Sequence, residues 1–224
     1  IIGAGPAGMS CAYFLLLAGF DVEVFEEKPF AGGMAADVIP AFRLKNEAID
    51  KDIRRIEKLG VKVHYGVRID KAKFDQFIGE RRFVFVATGT PESKKMEIKG
   101  ENSIGVIDPL VFLSDMKKGT AAIPGRRVLV IGGGNTAMDV ARAVKRMQGG
   151  NGSVIIVYRR RMADMPAEAE EILAARAENI EFACLKAPLE IVVAGGKVGG
   201  LKVTTMRTTG IGADGREKVE AIPD

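Results

Sequence analysis

Three observations predict an α/β fold built from two consecutive three-layer units, at residues 1–100 and 101–224. A strand, a glycine-rich turn, an apolar helix and a second strand follow one another at the start of the chain, and the same order returns from residue 127. Strands that alternate with helices in this way form parallel sheets with helices on both faces. The 224 residues also allow more than one domain of average size.

The composition is that of a folded globular protein and excludes several function classes. Hydrophobic residues make up 47% of the chain and charged residues 28%, which excludes a disordered tail. The longest uncharged apolar run, residues 9–20, is too short to cross a bilayer, so we expect no membrane span. The net charge of +4 is small and its basic residues are spread along the chain. Because there is no Trp and there are only three Tyr to stack on bases, we expect no nucleic-acid partner.

The two cysteines predict free thiols rather than a redox or metal centre. Cys11 and Cys184 lie far apart in the sequence, and no CxxC or CxxxxC pattern occurs. This argues against a disulfide framework, a zinc site, an iron–sulfur cluster and a dithiol centre within this sequence. We expect two reduced core thiols in a cytoplasmic protein.

The ends of the sequence predict a fold that is truncated at both ends. Only two residues precede the first glycine, whereas a strand usually has about five residues. The last residues contain no helix or strand that would close a domain. We therefore expect a piece of a longer chain.

The first unit has the arrangement of a dinucleotide-binding turn. A strand at residues 1–2 leads into a GxGxxG turn at residues 3–8 and a helix at residues 9–18, and the next strand, at residues 21–25, ends at Glu26. The N-terminus of the helix offers unpaired N–H groups and a partial positive charge to phosphates. Glu26 can accept hydrogen bonds from both hydroxyls of a ribose. A glycine turn without a ligand is the alternative.

Each glycine of this turn has a mechanical reason in such a site. Gly3 permits the tight turn, Gly5 lets the backbone approach a pyrophosphate, and Gly8 lets the helix pack closely on the strand. The three reasons together make the pattern far more specific than a GxGxxG motif outside a strand–helix–strand setting.

The second unit repeats the pattern from residue 127. A strand and a helix flank a GxGxxA turn at residues 132–137, and the next strand covers residues 154–158. Alignment of the two strand ends places Arg159 where Glu26 stands in the first unit. The two units therefore carry opposite charges at the position that faces the ribose.

This reversal of charge predicts which nucleotide each unit binds. A carboxylate such as Glu26 repels a phosphate on the ribose 2′-oxygen, whereas the guanidinium of Arg159 forms charge-assisted, often bidentate bonds with it. Arg160 and Arg161 follow directly. Each such bond contributes roughly 1.5–3 kcal/mol. We expect a dinucleotide with a free 2′-hydroxyl in the first unit and a preference for NADPH over NADH in the second; a solvated basic strand end is the alternative.

Hydrophobic patterns and turn residues predict the remaining elements. We expect helices at residues 46–59, 108–117 and 167–178, strands at residues 61–65, 82–86 and 180–185, a hairpin of residues 189–194 and 197–206 across Gly195-Gly196, a flexible turn at Gly32-Gly33-Met34, and a turn at Asp214-Gly215 before a further strand. The continuous apolar run at residues 82–86 favours a buried parallel strand.

The sequence assigns no catalytic side chain. His64, the only histidine, falls on the half-buried strand at residues 61–65 and is expected to be structural or solvated. There is no Ser/His/Asp arrangement, no evident pair of carboxylates and no metal-ligand spacing. Two dinucleotide sites without acid–base groups indicate hydride transfer, in which the cofactors carry the chemistry and the protein positions them.

The order of the motifs resembles that of a known family. GAGPAG at residues 3–8, Glu26, GGM at 32–34, IPAFRL at 39–44, ATG at 87–89, GGGNTAMD at 132–139 and VYRR at 157–160 follow one another here. In this order they resemble the glutamate synthase small subunit and its relatives, which include the NADPH/FAD half of dihydropyrimidine dehydrogenase and share the pyridine nucleotide-disulfide oxidoreductase superfamily fold. The resemblance covers nearly the whole sequence.

The resemblance implies FAD in the first unit and NADPH in the second. The residues implied at the FAD site are Gly3, Gly5, Pro6, Ala7, Gly8, Glu26, Gly33, Met34, Arg43, Thr88 and Gly89. Those implied at the NADPH site are Gly132, Gly134, Asn135, Thr136, Arg159 and Arg160. Asp139 belongs to the family pattern without an assigned role.

The resemblance also implies an activity. It points to an NADPH-dependent, FAD-containing cytoplasmic oxidoreductase that passes hydride from NADPH to FAD and electrons on to an iron–sulfur centre or a large catalytic partner subunit. The family's cysteine-rich segment and the return segment that completes its FAD domain do not occur in this sequence, so we expect an incomplete FAD domain. The alternative is a nucleotide-binding scaffold without activity. A disulfide reductase is disfavoured because the paired cysteines are absent.

Overall fold

The computed structural model describes residues 1–212 and 215–223, and the chain forms two compact units. Unit 1 comprises Ile1–Glu92 and unit 2 comprises Ser93–Asp224, so the predicted boundary at residue 100 falls inside unit 2. Within the described residues, no helix is both long and apolar enough to cross a membrane.

Unit 1 is a parallel sheet with helices between its strands. Its elements are α1 (Pro6–Leu17), β1 (Glu23–Glu26), α2 (Gly33–Asp37), α3 (Asn46–Glu57), β2 (Lys62–Tyr65) and α4 (Lys71–Glu80). β1 pairs in parallel with β2, and Ile2 extends the sheet through parallel bridges to Phe25 and Val86. The order across the sheet is therefore Val86, Ile2, β1 and β2, with the first glycine turn at its carboxyl end.

The core of unit 1 forms where α1 packs on β1. α1 is apolar on all sides, and its residues Met9 and Ala12 are buried in one cluster with Val24 of β1. Ile53 and Ile56 of α3 pack against the same cluster, as the apolar spacing of that helix predicts. This packing fixes the start of α1 beside the strand end at Ile2.

The apolar run at residues 82–86 is not the buried strand that the sequence predicts. Val86 bridges to Ile2, but Phe83 is 69% exposed and Val86 is 53% exposed. The run occupies the edge of the sheet, where a strand has one neighbour and needs a covering layer to bury its side chains. An apolar sequence alone does not show whether that layer is present.

Two further segments of unit 1 differ from the sequence-based expectation. The Gly32-Gly33-Met34 segment is not a flexible turn, because Gly33 and Met34 begin α2. The sequence reasoning also missed α4. Its start is marked by Asp70, whose carboxylate accepts a hydrogen bond from the backbone N–H of Lys73 at 2.9 Å.

Unit 2 combines a parallel sheet with an antiparallel one. Its elements are α5 (Pro109–Lys118), β3 (Arg127–Ile131), α6 (Asn135–Met147), β4 (Ser153–Tyr158), a 3-10 turn (Met162–Asp164), α7 (Ala169–Ala177), β5 (Glu181–Cys184), β6 (Lys186–Ala194), β7 (Lys197–Ile211) and β8 (Glu217–Ala221). β3, β4 and β5 pair in parallel, and β6, β7 and β8 pair antiparallel. The predicted α/β fold with parallel sheets is confirmed. The predicted turn at Asp214-Gly215 lies partly outside the described residues, and β8 follows it.

The segment before α5 belongs to unit 2 because it pairs with the antiparallel sheet. Lys99 bridges in parallel to Glu190 of β6, and its Nζ lies 2.7 Å from the Oε1 of Glu190. Ile104 bridges in the same way to Lys197 of β7. These contacts hold the segment against the hairpin and move the boundary between the units to residues 92 and 93.

α6 carries the core of unit 2 together with a buried ion-pair network. Its residues 137–144 are all buried. Arg142, which is 8% exposed, donates to Glu171 and Glu178, and Arg146 Nη2 donates to Glu178 Oε1 at 2.8 Å. Burial alone would lower the pKa of Arg142, but its hydrogen bonds outweigh burial and raise the pKa above the ordinary value. The network ties α6 to both ends of α7.

We expect replacement of Glu178 to destabilise the chain at neutral pH but not in acid. Burial raises the pKa of its carboxyl, but hydrogen bonds from Arg146 and Arg142 outweigh burial and hold the pKa below its ordinary value of 4.5. The stabilisation is therefore present above that value and is lost as the pH falls through the folded-state pKa. Glu178→Gln should lower the free energy of unfolding by about 1–3 kcal/mol at neutral pH, measured by urea denaturation.

The matched control is Glu170→Gln, at an exposed position of α7. It should change the free energy of unfolding by less than about 0.5 kcal/mol. The difference between Glu178→Gln and the unaltered chain should shrink toward zero once the pH falls below the folded-state pKa of Glu178. A difference of the same size at both pH values would contradict the assignment.

Candidate functional site

The first glycine turn is held against the sheet by contacts that leave no room for side chains. Gly3 has a φ of +100°, and a Cβ there would collide with the carbonyl oxygen of Ala87. A Cβ on Gly8 would collide with the carbonyl oxygen of Gly3. Since Gly8 lies inside α1, where alanine is normally favoured by about 1 kcal/mol, helix propensity does not explain it. Packing within the chain accounts for Gly3 and Gly8.

Gly5, by contrast, is not required by packing within the chain. Its φ of −72° is open to any residue. A Cβ on Gly5 would meet only the Cα of Gly33, at an ordinary contact distance of 3.8 Å. Gly33 approaches from the other side, and a Cβ on Gly33 would lie 2.8 Å from the Cα of Gly5. A group from outside the chain can therefore reach the backbone at Gly5, with Gly33 as one wall.

The N-terminus of α1 opens beside Gly5 without a capping side chain. Pro6 takes the first helical position, where its missing N–H costs nothing, and Ala7 is exposed. The unpaired N–H groups and the helix dipole make this end attractive to anions. Thr88 and Gly89 continue the chain past the turn, and both are exposed.

Glu26 lies at the end of β1, and its buried carboxylate is part of the turn. Oε2 accepts a hydrogen bond from Ala4 N at 2.7 Å, and Oε1 accepts one from Lys28 N at 2.9 Å. Each carboxylate oxygen has a second lone pair, so acceptor capacity for a ribose hydroxyl is left. The structure adds a second role that the sequence did not suggest: Glu26 fixes the backbone inside the glycine turn.

The segment after β1 returns to the glycine turn. Gly32 donates its N–H to the carbonyl oxygen of Ala4 at 2.8 Å. An ion pair between Lys28 and Asp37, with an Nζ–Oδ2 distance of 2.7 Å, spans the segment. The first turn thus has a preformed wall on the side of α2.

Met34 and Arg43 lie on either side of Pro40. Met34 is on α2, directly after Gly33, and its side chain is partly buried. Arg43 lies in the connection to α3, where its N–H donates to the carbonyl oxygen of Pro40 at 2.9 Å. Met34 therefore lies beside the glycine turn, whereas Arg43 lies outside α2, in the connection to α3.

The second glycine turn repeats this arrangement with one difference. Gly132 has a φ of +132°, whereas Gly134, the uncapped N-cap of α6, has an ordinary φ of −92°. No described heavy atom lies within 4 Å of the place of a Cβ on Gly134. The difference is Gly133, where a Cβ would lie 2.7 Å from the ring of Tyr158. As at Gly5, the chain itself does not require glycine at position 134.

Asn135 begins α6, and its side chain holds a neighbouring segment. Its Oδ1 accepts a hydrogen bond from Glu168 N at 2.9 Å. The carbonyl oxygen of Gly133 accepts another from Ala167 N at 3.1 Å. These two bonds place the start of α7 beside the turn. Thr136, the next residue of α6, is exposed.

The three consecutive arginines after β4 have different surroundings. Arg161 donates through Nε and Nη2 to the carboxylate of Asp164, at 2.9 and 3.0 Å, and Nη2 lies 3.1 Å from Glu217 Oε1. The hydrogen bond from Arg161 lowers the pKa of Asp164. Arg159 is exposed and has no ion pair among the described residues. Arg160 is partly buried, and its Nε has no hydrogen-bond partner there. Two of the three guanidinium groups remain open to an anion.

Sequence reasoning missed four residues that shape the two turns, namely Lys28, Asp37, Tyr158 and Asp164. The hydroxyl of Tyr158 donates to the carbonyl oxygen of Asp164 at 3.0 Å, under the loop that carries the arginines. Lys28, Asp37 and Asp164 are of types common on protein surfaces, and a tyrosine at the end of a buried strand is ordinary, so none of the four gives a signal alone. The spacing of Arg161 and Asp164, three positions apart with opposite charges, was the one usable indication.

The remaining residues that the sequence singled out are His64, the two cysteines and Asp139, and none of them belongs to a glycine turn. His64 stacks on Phe25 of the neighbouring strand, with a centroid distance of 4.6 Å. Cys11 and Cys184 are free thiols, but both are only partly buried, so the expectation of core thiols was wrong. Burial still raises the pKa of Cys184. Asp139 is buried within α6 at 5% exposure.

Residues 1–216 match the family model described as pyridine nucleotide-disulphide oxidoreductase. The chain is 37% identical to the NADP(+)-dependent formate dehydrogenase subunit beta of Moorella thermoacetica, over 100% of this chain and 32% of that protein. It is 34% identical to the glutamate synthase [NADPH] small chain of Halomonas elongata, over 100% of this chain and 49% of that protein. The chain thus spans about a third to a half of these relatives, and the resemblance to glutamate synthase small subunits is confirmed.

The fold is also similar to that of a solved structure. FprA of Mycobacterium tuberculosis, in complex with NADPH, superposes with a TM-score of 0.82 at 18% sequence identity. The match covers 100% of this chain and 66% of FprA. It confirms the Rossmann-like α/β fold.

We expect the glycines of the first turn to differ in their effect on stability. Gly8→Ala places a Cβ against a backbone oxygen that cannot move aside, and should cost about 3 kcal/mol or more. Gly5→Ala places a Cβ at an ordinary contact distance from the Cα of Gly33 and should change stability by less than about 1 kcal/mol. Urea denaturation measures both. Equal losses for the two variants would contradict the packing described for this turn.

Proposed function

The chain belongs to the pyridine nucleotide-disulphide oxidoreductase family, and on that premise we propose that unit 1 binds FAD, that unit 2 binds NADPH, and that hydride passes from NADPH to FAD. Family membership supports the binding of both cofactors. Two relatives are named as subunits of formate dehydrogenase and glutamate synthase. We therefore further propose that the chain acts within an electron-transfer subunit of a larger enzyme.

The glycines at the two helix N-termini carry the proposal. Gly5 and Gly134 have backbone angles open to other residues and no close neighbour among the described atoms. A ligand that touches the backbone does require glycine, because a Cβ would stand between the ligand and the N–H groups. Two such positions, each at an uncapped helix N-terminus after a parallel strand, fit two pyrophosphates.

In unit 1 the assigned residues surround the end of α1. We assign the pyrophosphate to Gly3, Gly5, Pro6, Ala7 and Gly8, the adenosine ribose to Glu26, and further contacts to Gly33, Met34, Arg43, Thr88 and Gly89. The spare lone pairs of Glu26 suit two ribose hydroxyls, and its negative charge disfavours a 2′-phosphate. These properties favour FAD over an NADP-type dinucleotide.

In unit 2 the assigned residues combine a helix end with free positive charge. We assign the pyrophosphate to Gly132, Gly134, Asn135 and Thr136, and the 2′-phosphate to Arg159 and Arg160. Arg161 is occupied by Asp164 and Glu217, so it positions the loop instead of reading the phosphate. Asn135 also holds the start of α7 beside the turn, because its Oδ1 accepts a hydrogen bond from Glu168 N.

The side chains of this chain bind and orient, and none of the described ones is assigned an acid–base role. When bound, the two cofactors supply the redox chemistry, a hydride transfer between nicotinamide and flavin. The helix ends and the arginines contribute fixed charge that holds the phosphates. We propose an iron–sulfur centre or a large partner subunit as the next electron acceptor. The names of the two relatives, which are subunits of larger enzymes, support the partner subunit.

The test is anaerobic addition of NADPH to the chain after incubation with FAD and removal of excess cofactor. Loss of the visible flavin absorbance, faster with NADPH than with NADH, supports the oxidoreductase. A colourless chain that NADPH still stabilises against thermal unfolding would favour a nucleotide-binding scaffold without activity. A chain that takes up neither cofactor would overturn the proposal.

We expect Arg159→Ala to weaken NADPH by about ten- to a hundredfold and to leave NADH unchanged. The guanidinium is exposed and without an ion pair among the described residues, so its loss removes a contact to the 2′-phosphate and little else. Isothermal titration of both nucleotides measures the two dissociation constants. Arg176→Ala, at an exposed position of α7, is the matched control. Equal losses for NADPH and NADH would show that Arg159 does not read the phosphate.

A further inference from the structure

We propose that the ion pair between Lys28 and Asp37 is a positioning latch that slows the release of FAD from unit 1, an inference that rests on the proposed function. The latch closes the segment of residues 28–37, which leaves the sheet after Glu26 and returns to the glycine turn at Gly32. Neither residue belongs to the motifs by which the sequence resembles its family.

Ala4 is the residue at which three segments around the proposed pyrophosphate site of unit 1 meet. It is fully buried. Its N–H donates to Glu26 Oε2 at 2.7 Å, and its carbonyl oxygen accepts from Gly32 N at 2.8 Å. The glycine turn, the end of β1 and the start of α2 are therefore joined through one residue. The segment between Glu26 and Gly32 must loop between two of these attachments.

The Lys28–Asp37 ion pair joins the start of this loop to the end of α2. The backbone N–H of Lys28 is fixed to Glu26 Oε1 at 2.9 Å, while its Nζ reaches Asp37 Oδ2 at 2.7 Å. The Asp37 side chain is 9% exposed, whereas the neighbouring pair of Arg68 and Glu27 has an arginine that is 83% exposed. Partial burial reduces screening by water and salt, so the Lys28–Asp37 pair interacts more strongly than the exposed pair.

The pair acts on α2 as a whole. Asp37 is the last residue of α2 and Gly33 the first, and Gly33 packs on Gly5 at the proposed pyrophosphate site. A single-turn helix has little stability of its own, so its position depends on the contacts at its two ends and on its packing against α3. Loss of the pair frees α2 to move away from Gly5. FAD should then dissociate faster, while its association, which needs only the open turn, changes less.

The test is a double-mutant cycle on the rate of FAD dissociation. Lys28→Met and Asp37→Asn should each raise the rate constant of FAD dissociation about tenfold. The recovery of flavin fluorescence after dilution measures this rate. The double variant should show no larger effect than Asp37→Asn alone, because Lys28→Met acts through the pair with Asp37, which that variant has already lost. Lys28→Arg keeps the charge and should remain within about threefold of the unaltered chain.

The matched control is Arg68→Met, which breaks the exposed pair with Glu27 and should leave the dissociation rate unchanged. Amide hydrogen exchange of the FAD-free chain should become faster at residues 33–37 in Lys28→Met but not in α1 or β1. Should Lys28→Met fail to fold, Asp37→Asn leaves no buried charge and carries the test with Lys28→Arg. Additive single effects, or unchanged rates with FAD bound, would overturn the latch alone. If the unaltered chain takes up no FAD, the latch and the FAD assignment both fail.

Discussion

The geometry of both units depends on one constraint: a helix must begin directly against a strand end, with no side chain larger than that of alanine at the point of contact. In unit 1 the carbonyl oxygen of Gly3 occupies the space that any side chain at position 8 would need, and Gly3 itself lies against Ala87. This close approach sets the uncapped end of α1 at the carboxyl edge of the sheet, where parallel strands leave a crevice. The carboxylate of Glu26 and the start of α2 are arranged around that end.

The two units meet the same constraint with different local chemistry. In unit 1 the strand-end acid turns back and binds the backbone of the glycine turn through Ala4. In unit 2 an aromatic ring, Tyr158, fills the equivalent space under Gly133, and its hydroxyl holds the following loop. The next two residues are Arg159, which is exposed, and Arg160, which is partly buried. The opposite charges of the two units therefore go together with two different ways of supporting a glycine turn.

The sequence predicted the fold where local geometry dictates the residue, and failed where distant packing decides. Gly3, Gly8 and Gly132 mark turns that only glycine can form, and both turns lie where the pattern places them. The apolar run around Phe83 reads as a buried strand, but its exposure depends on what covers the sheet edge. Every predicted element of unit 2 between residues 101 and 211 was found, because each has a local signal in its own residues: an apolar pattern, helix propensity or turn glycines.

The candidate site, like the fold, was predictable only where its residues carry a local signal in the sequence. Alignment of the two strand ends in the sequence places Arg159 at the position of Glu26, and the structure corrects this by one residue. Gly3 N donates to the carbonyl oxygen of Phe25 and Gly132 N donates to that of Val157, so Tyr158 stands where Glu26 does and Arg159 follows it. Three identical arginines in a row, however, cannot be told apart by residue type. Only the spacing of Arg161 to Asp164, three positions on, distinguishes Arg161 in the sequence, and its second partner Glu217 lies far along the chain. The Lys28–Asp37 pair escaped notice for the same reason, since a lysine and an aspartate in a loop are ordinary.

The arginine segment, residues 159–161, contacts the antiparallel sheet through its backbone and through a side chain. The carbonyl oxygen of Arg160 accepts from Leu185 N, and the carbonyl oxygen of Leu185 accepts from Met206 N in β7. Arg161 adds its contact with Glu217 of β8. The base of this sheet therefore holds the backbone of the arginine segment, whereas the hairpin tip is held by Ile104, whose N–H donates to the carbonyl oxygen of Gly196 at 3.3 Å. Over evolutionary time the length of the strands near the base should stay fixed, because an insertion there would displace the arginines.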